Sequence, residues 1–289
     1  MAKPGLSMDL PATEWLTGSD GRRLATSWYP ARQPWLNVLL SHGFAEHRGW
    51  WHHVAAALQA NGVNVLTYDQ YAHGQSDGVH GDIPNYGALT SGMELAFHGG
   101  LKPRAAGLPI VILAHSNGGL IALMALPQVA KDTAALVLCS PLIGVPWPTV
   151  LGGWPVAHLI ALRNPAAFWP VKMRPQNLTH HQPIWHEYHE DPLRFHRISA
   201  RFFLAMVAES RRNAAALSCG GLPLLLLSAG EDVVVSRPAM AKWFAGVPSP
   251  DKQRRLYPDR SHELFNEADW TRVLDDVLQW LNARFRPTP

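Results

Sequence analysis

The sequence predicts an α/β fold: a mostly parallel central sheet with helices on both faces, interrupted by one helical insertion. Three observations carry this. Short apolar runs of strand length recur through the 289 residues, amphipathic helical stripes lie between them, and the rhythm breaks once, from Gly144 to Leu217. Strands buried on both faces read as near-continuous apolar runs, and strands alternating with helices need crossover connections, hence parallel pairing.

Taken in order, residues 12–29 read as a hairpin with Gly18-Ser19-Asp20-Gly21 at its turn. Asn37 to Leu40 is a short buried strand running into Ser41-His42-Gly43. Trp51, Val54, Ala55 and Leu58 recur at helical spacing, and Asn61-Gly62 ends that helix. Val63 to Tyr68 and Ile110 to Leu113 are strands, and Leu120 to Ala125 is the apolar heart of a helix. Ala135 to Cys139, Leu224 to Ser228 and Gln253 to Tyr257 are further strands. The last helix carries Trp270, Val273, Leu274, Val277, Leu278 and Leu281 on one stripe. No internal repeat is present.

The segment 144–217 is rich in Pro, Trp and His, with Trp147, Trp154, Trp169 and Trp185 spread through it. It divides the chain into a core of residues 1–143 and 218–289 and an inserted unit. Ligands in open α/β sheets bind beyond the carboxyl ends of the strands. The insertion leaves from such an end, after Cys139, so it is read as a lid over an active site. Arg163, Lys172 and Arg174 form a solvated face of it or meet anionic headgroups.

Composition narrows the function. Hydrophobic residues make up 47% and charged residues 16% of the chain, which excludes an intrinsically disordered protein. The net charge is +3, with no run of five like charges, so a nucleic-acid partner is not expected. No apolar stretch reaches the length of a transmembrane helix. Met1 to Leu10 has no apolar run of a secretory signal, so the cytoplasm is the expected compartment. Two cysteines, Cys139 and Cys219, make neither a disulfide framework nor a metal site. One leaves a strand and the other precedes one, so parallel neighbours would hold the thiols apart. His180-His181, His186 and His189 lack the spacing or partners of a zinc motif, and no nucleotide fingerprint is present, so neither metal nor organic cofactor is expected.

The sharpest chemical signal is Leu113-Ala114-His115-Ser116-Asn117-Gly118-Gly119. It follows a strand and opens a helix, the setting of a nucleophile elbow, where a tight turn lifts one hydroxyl out of the backbone. A serine hydroxyl is a poor nucleophile and needs a general base oriented by a carboxylate. Of the 15 histidines only His262 follows Ala200, on a loop between a strand and the last helix. Asp232 ends the strand Leu224 to Ser228 after Gly230; Glu231 and Asp259 are weaker candidates for the acid. An oxyanion needs two N–H donors. The backbone of Asn117, after the nucleophile, and of Phe44, in the bend after Gly43, meets that need.

These segments resemble the α/β-hydrolase superfamily, in particular its monoacylglycerol lipase and bacterial lysophospholipase-like branch. The resemblance rests on His42-Gly-Phe-Ala-Glu-His47, on Asp69-Gln-Tyr-Ala-His-Gly-Gln-Ser-Asp-Gly78 and on His115-Ser-Asn-Gly-Gly119. Gly230-Glu-Asp-Val-Val-Val235 and Ser261-His-Glu-Leu-Phe-Asn-Glu267 complete it, in family order over nearly the whole chain. It implies the α/β-hydrolase fold, Ser116, Asp232 and His262 as a catalytic triad, and Phe44 and Asn117 as oxyanion donors. It also implies a structural loop shaped by His73, Gly74 and Ser76. Two positions depart from the family pattern: Ala114 stands for glycine, and Asn117 stands where that branch usually has Met. Of these, Asn117 is expected to face the pocket and to bear on acyl or alcohol preference. The expected substrate is a monoacylglycerol, lysophospholipid or other medium-chain ester, with transient membrane-surface contact through the lid. An amidase or aminopeptidase of the proline iminopeptidase type is the alternative, with Glu187, Glu190 or Asp191 to pair a substrate amine. A non-catalytic receptor-like hydrolase fold is a third reading, weakened by the presence of all three triad residues.

Overall fold

The computed structural model describes residues 10–171, 173–216 and 219–286, with the side chains of 147–151 and 213–216 left aside. Lys172, the side chain of Trp147 and most of the Met1 to Leu10 segment therefore lie outside the described residues. β1 (Glu14–Thr17) and β2 (Arg23–Tyr29) form the expected hairpin, with Glu14 opposite Thr26. β3 (Leu36–Ser41), α1 (His52–Ala60) and β4 (Val63–Tyr68) follow, then α2 (Gly87–Leu95), β5 (Ile110–His115), α3 (Asn117–Val129) and β6 (Ala135–Cys139). Next come α4 (Trp147–Arg163), β7 (Phe168–Pro170), α5 (Trp185–Glu190), β8 (Arg197–Ser199) and α6 (Ala200–Ala216). The chain then returns through β9 (Leu224–Ala229), α7 (Arg237–Gly246), β10 (Lys252–Tyr257) and α8 (Trp270–Phe285).

Eight strands make one sheet in the order β1-β2-β4-β3-β5-β6-β9-β10. All pairs from β4 to β10 are parallel, and only the β1–β2 and β2–β4 pairs are antiparallel. Alternate side chains of each strand enter opposite layers, because a strand's side chains alternate between faces. Leu39, Leu66, Ile112, Leu138 and Leu226 pack with α2, α3 and α7 through Met93, Leu123 and Met240. Val38, Val65, Val111, Val137 and Leu225 pack with α1 and α8 through Val54, Leu58, Val273 and Val277. Burying one such side chain fully is worth about 1.5–3 kcal/mol, so this double layer dominates the stability of the sheet.

The stretch between β6 and β9 is not wholly helical as expected. β7 and β8 pair antiparallel, Phe168 opposite Ser199, because Phe-Trp-Pro and the prolines that follow suit extended chain better than helix. Cys139 and Cys219 are both free and buried. No helix among the described residues is long and apolar enough to cross a membrane.

One buried ion pair fixes the loops at the sheet's carboxyl edge. Arg48, fully buried, pairs with Asp69 at the end of β4 and reaches Ser27 Oγ (3.0 Å) and Gln75 Oε1 (2.7 Å). Asp69 also accepts the N–H groups of Arg48 (2.7 Å) and Gln75 (2.8 Å), so it ties the loop after β3 to the loop carrying His73, Gly74 and Ser76. Ser76 Oγ completes that loop on the Asp69 carbonyl at 2.6 Å. Removing one member of such a pair strands the other charge. Arg48→Met is expected to lower the unfolding free energy by about 3–5 kcal/mol in urea denaturation, with Arg48→Met/Asp69→Leu recovering part of the loss.

Candidate active site

Ser116 occupies the turn between β5 and α3 with φ +49° and ψ −119°. A side chain other than glycine avoids that region, and such strain stores about 1–3 kcal/mol at functional positions. The turn is held from both sides. The Ser116 N–H donates to the Cys139 carbonyl at 3.0 Å, and its own carbonyl accepts from Gly119 (3.0 Å) and Leu142 (2.8 Å). Glycine is required at 118, where a Cβ would stand 2.4 Å from the His42 carbonyl oxygen. At Gly43 a Cβ would press 3.2 Å from Ser116 Cβ, so the absence of a side chain lets the loop after β3 lie against the elbow. Ala114, one methyl larger than the family's glycine, is fully buried within β5.

The structure brings Ser116, His262 and Asp232 into one line. His262 Nε2 lies 2.9 Å from Ser116 Oγ, and its Nδ1 lies 2.7 Å from Asp232 Oδ2. A carboxylate accepts only, so Nδ1 carries the proton and Nε2 offers a lone pair to the Ser116 hydroxyl. The other Asp232 oxygen accepts the N–H groups of Val234 (2.8 Å) and Val235 (3.0 Å). All three side chains are buried. Burial disfavours charge on His262, but the Asp232 carboxylate outweighs it, helped by Glu46, and holds the imidazole's pKa above its ordinary value. Burial likewise opposes ionisation of Asp232, yet His262 and the two N–H groups keep its pKa below the usual range.

Beside this line, the Phe44 N–H and the Asn117 N–H have no acceptor among the described residues. Asn117 N–H is among the first of α3, where helical N–H groups lack intrahelical partners. The Phe44 loop is anchored by Glu46, whose Oε2 accepts from the Gly43 N–H (2.8 Å) and from Trp51 Nε1 (2.9 Å).

Three residues quoted in the family motifs but given no role there lie beneath this loop. His115 donates from Nδ1 to the Cys139 carbonyl at 3.0 Å, which leaves Nε2 unpartnered and buried, 3.8 Å from Glu46 Oε1. Burial brings the His115 pKa down to about 3, so the ring is neutral. Glu263, also buried, meets the Tyr188 hydroxyl and Asn266 Nδ2 (2.7 Å). Burial and the nearby Glu46 push its pKa upward. Glu46, His115 and Glu263 are the one set among the described residues whose metal-donor atoms lie within 4.8 Å of one another. Their signal in the sequence is an acid three residues after Gly43 and another directly after the histidine.

A cavity of about 540 Å³ opens on Ser116 and His262. Its walls are largely apolar: Leu142, Val145, Trp169, Ile198, Phe203 and Met206 face it from the segment between β6 and β9, and Val233 and Val234 from the core.

Two expectations are corrected, the direction of the Asn117 side chain and the amine partners of the alternative reading. The Asn117 side chain does not face the cavity. Its Oδ1 accepts from the Tyr86 hydroxyl and its Nδ2 lies 3.4 Å from Gln70, both in the core, because the helix start turns it away from the hydroxyl it follows. Glu187, Glu190 and Asp191 do not line the cavity, and Asp191 is held by His47 (2.7 Å) and Trp50 (2.6 Å). Glu231 is exposed and pairs with His180 at 3.3 Å, while Asp259 pairs with Arg260 at 2.9 Å. His180, His181, His186 and His189 form no metal-donor set among the described residues.

Hydroxyl, imidazole and carboxylate in hydrogen-bond contact, with two free N–H groups beside them, can generate a nucleophile and hold an oxyanion. A histidine serving as base in this line must be neutral, so kcat/KM is expected to fall as pH drops through the raised His262 value, placing the acid limb above about 6.5. Asp232→Asn removes the countercharge. It is expected to move that limb downward and to cut turnover by about 10⁴-fold in a pH-rate profile.

Comparison with known proteins places the chain. A family model described as serine aminopeptidase, S33 (Hydrolase_4), matches residues 32–269. An uncharacterized abhydrolase domain-containing protein of Dictyostelium discoideum is 27% identical over 263 residues; the match takes in 89% of this chain but 27% of that protein's length. The monoacylglycerol lipase of Mycolicibacterium smegmatis is 28% identical over 263 residues, covering 88% of this chain and 90% of the relative. A soluble variant of monoglyceride lipase from Saccharomyces cerevisiae superposes with a TM-score of 0.88 at 20% identity, over 99% of this chain and 100% of that one. The chain belongs to the serine aminopeptidase S33 (Hydrolase_4) family and has the α/β-hydrolase fold.

Proposed function

We propose that the protein hydrolyses lipid-type carboxylic esters, monoacylglycerols or lysophospholipids first among them, through an acyl-enzyme on Ser116. The observation that carries this reading is the alignment of Ser116, His262 and Asp232 at the mouth of an apolar cavity. Likeness to monoacylglycerol lipases supports a carboxylic ester hydrolase.

In the first step His262 Nε2 takes the Ser116 proton as Oγ attacks the ester carbonyl. The N–H groups of Phe44 and Asn117 hold the oxyanion; such a donor is worth about 10²–10³ in turnover. The alcohol leaves with the proton from His262. Water, deprotonated by the same ring, then attacks the acyl-enzyme, and the acid departs as His262 returns that proton to Ser116 Oγ. Asp232 keeps the ring in the required tautomer and stabilises its cationic form. Every proton transfer is served by these side chains, so the scheme calls on no metal or organic cofactor.

Residues 144–217 act in this scheme as a lid. Val145, Trp169, Ile198, Phe203 and Met206 of the cavity's apolar lining belong to this segment. An acyl chain gains about 0.8 kcal/mol for each buried methylene, which makes such walls suited to a fatty acyl group. The outer surface of α4 exposes Trp154, Val156, Leu159 and Leu162, the last at 82%. Exposed apolar patches mark interaction surfaces, and here a lipid surface carrying the substrate is the proposed partner. Arg163 and Arg174 are exposed on the same segment and suit anionic headgroups. The aminopeptidase alternative loses its proposed amine partners, since Glu187, Glu190 and Asp191 lie outside the cavity.

The test is one panel: p-nitrophenyl esters of increasing acyl length, aminoacyl p-nitroanilides, and monoacylglycerol in vesicles. Turnover of esters but not anilides is expected, abolished by Ser116→Ala. Leu159→Glu/Leu162→Glu is expected to slow vesicle-borne substrate while sparing the short soluble ester. Anilide turnover exceeding ester turnover would reverse the assignment.

A further inference from the structure

We infer that Glu46 and Glu263 hold one proton between them, carried by Glu263, and that this acid pair positions the oxyanion loop under Ser116. The inference deepens the hydrolase reading and rests on it for its catalytic meaning. Its starting point is a count of donors. Glu46, His115 and Glu263 turn one atom each toward a common point, all within 4.8 Å of one another. The His115 atom is the unpartnered, buried Nε2, whose proton sits on the opposite nitrogen, bonded to the Cys139 carbonyl. Ionised carboxylates accept only, so three acceptors would face each other with no donor among them. Two like charges buried at that separation are unfavourable, and one proton on the pair removes that repulsion.

The neighbours assign the proton. Glu46 is met by a backbone N–H and an indole N–H, which can only donate, so neither contact can take a proton from it. Glu263 is met by the Tyr188 phenol and the Asn266 amide, and each of these can accept as readily as donate. Asn266 Oδ1 is itself buried without a donor, so turning the amide over gives a carboxylic acid at Glu263 a ready acceptor. The charged groups facing Glu263 agree in balance. Glu46 disfavours its ionisation, the buried Arg194 from the segment between β6 and β9 favours it, and desolvation outweighs both. His262, with its partner Asp232, stands on the adjoining wall of the cavity.

The arrangement has a catalytic consequence. Glu46 fixes the Gly43 N–H and so the bend that presents Phe44, while neutral Glu263 spares His262 a further negative neighbour. Glu46 and Glu263 are positioning residues and touch no reacting atom.

The deciding experiment is infrared spectroscopy of the folded wild type at neutral pH, with carbon-13 in the glutamate carboxyls. A carbonyl band of a protonated, buried carboxylic acid that moves with the label is expected, present in Ser116→Ala and absent in Glu263→Gln. That arm needs no turnover, so a failure of the hydrolase reading and a failure of the acid pair are read separately. In pH-rate profiles Glu263→Gln is expected to leave the acid limb within about half a unit of the wild type, since no charge is removed. Glu46→Gln is expected to lower that limb and to reduce kcat about tenfold with a smaller change in KM, partly rescued by Glu46→Asp. No label-sensitive acid band, a band lost in Glu46→Gln but kept in Glu263→Gln, or a stoichiometric metal ion found by elemental analysis would overturn the proposal.

Discussion

The whole arrangement depends on one strained turn. Ser116 can stand clear of the backbone only with φ in the left-handed region, and it stays there because the parallel sheet leaves no alternative. β5 lies between β3 and β6, so the turn is flanked by two strand ends. The Cys139 carbonyl grips it from one side, and the Gly43 bend closes on it from the other. The strain of about 1–3 kcal/mol is small against the apolar burial of the two layers around the strands. A loop without that frame would relax and bury its hydroxyl in ordinary helix capping.

Electrostatics at the same edge follow from burial. Charge is expensive out of water, so each ionic group there is matched by a fixed partner: Asp232 by His262 and two N–H groups, Asp69 by Arg48, Asp191 by His47 and Trp50. These pairs fix loop positions more than they add stability, since buried ion pairs roughly break even against apolar replacements. The segment between β6 and β9 enters the same network. Asp191 and Tyr188 reach core residues, and Thr179 bonds Glu267 at 3.1 Å. The part of the chain that walls the cavity is thereby tied to the loop that carries the histidine.

Most of the sheet could be read from the sequence because its strands are buried on both faces and announce themselves as apolar runs; Val63–Tyr68 and Ala135–Cys139 carry the bounds expected of them. α8 was equally plain, its stripe being a surface helix with one apolar face. α2 and α7 were not legible. α2 starts on Gly87 and contains Gly92, which weakens any helix signal, and the marker of α7 is little more than Ser236 capping the Ala239 N–H. The positions of Ser116, Asp232 and His262 could be anticipated because the chemistry demands those residue types at strand ends. The direction of the Asn117 side chain could not, since it depends on Tyr86 and Gln70, distant in sequence. The Glu46–His115–Glu263 cluster was hidden for the same reason: its members come from two loops and the end of β5 and meet only after the sheet has formed.

The central claim is that Ser116 is an activated nucleophile because His262 and Asp232 stand behind it. Intact-mass spectrometry after brief exposure to a fluorophosphonate measures this directly. The account predicts a single adduct per chain, mapped to the peptide containing Ser116, and its loss in His262→Ala. A wild-type protein left unmodified, or modified equally well without His262, would contradict it.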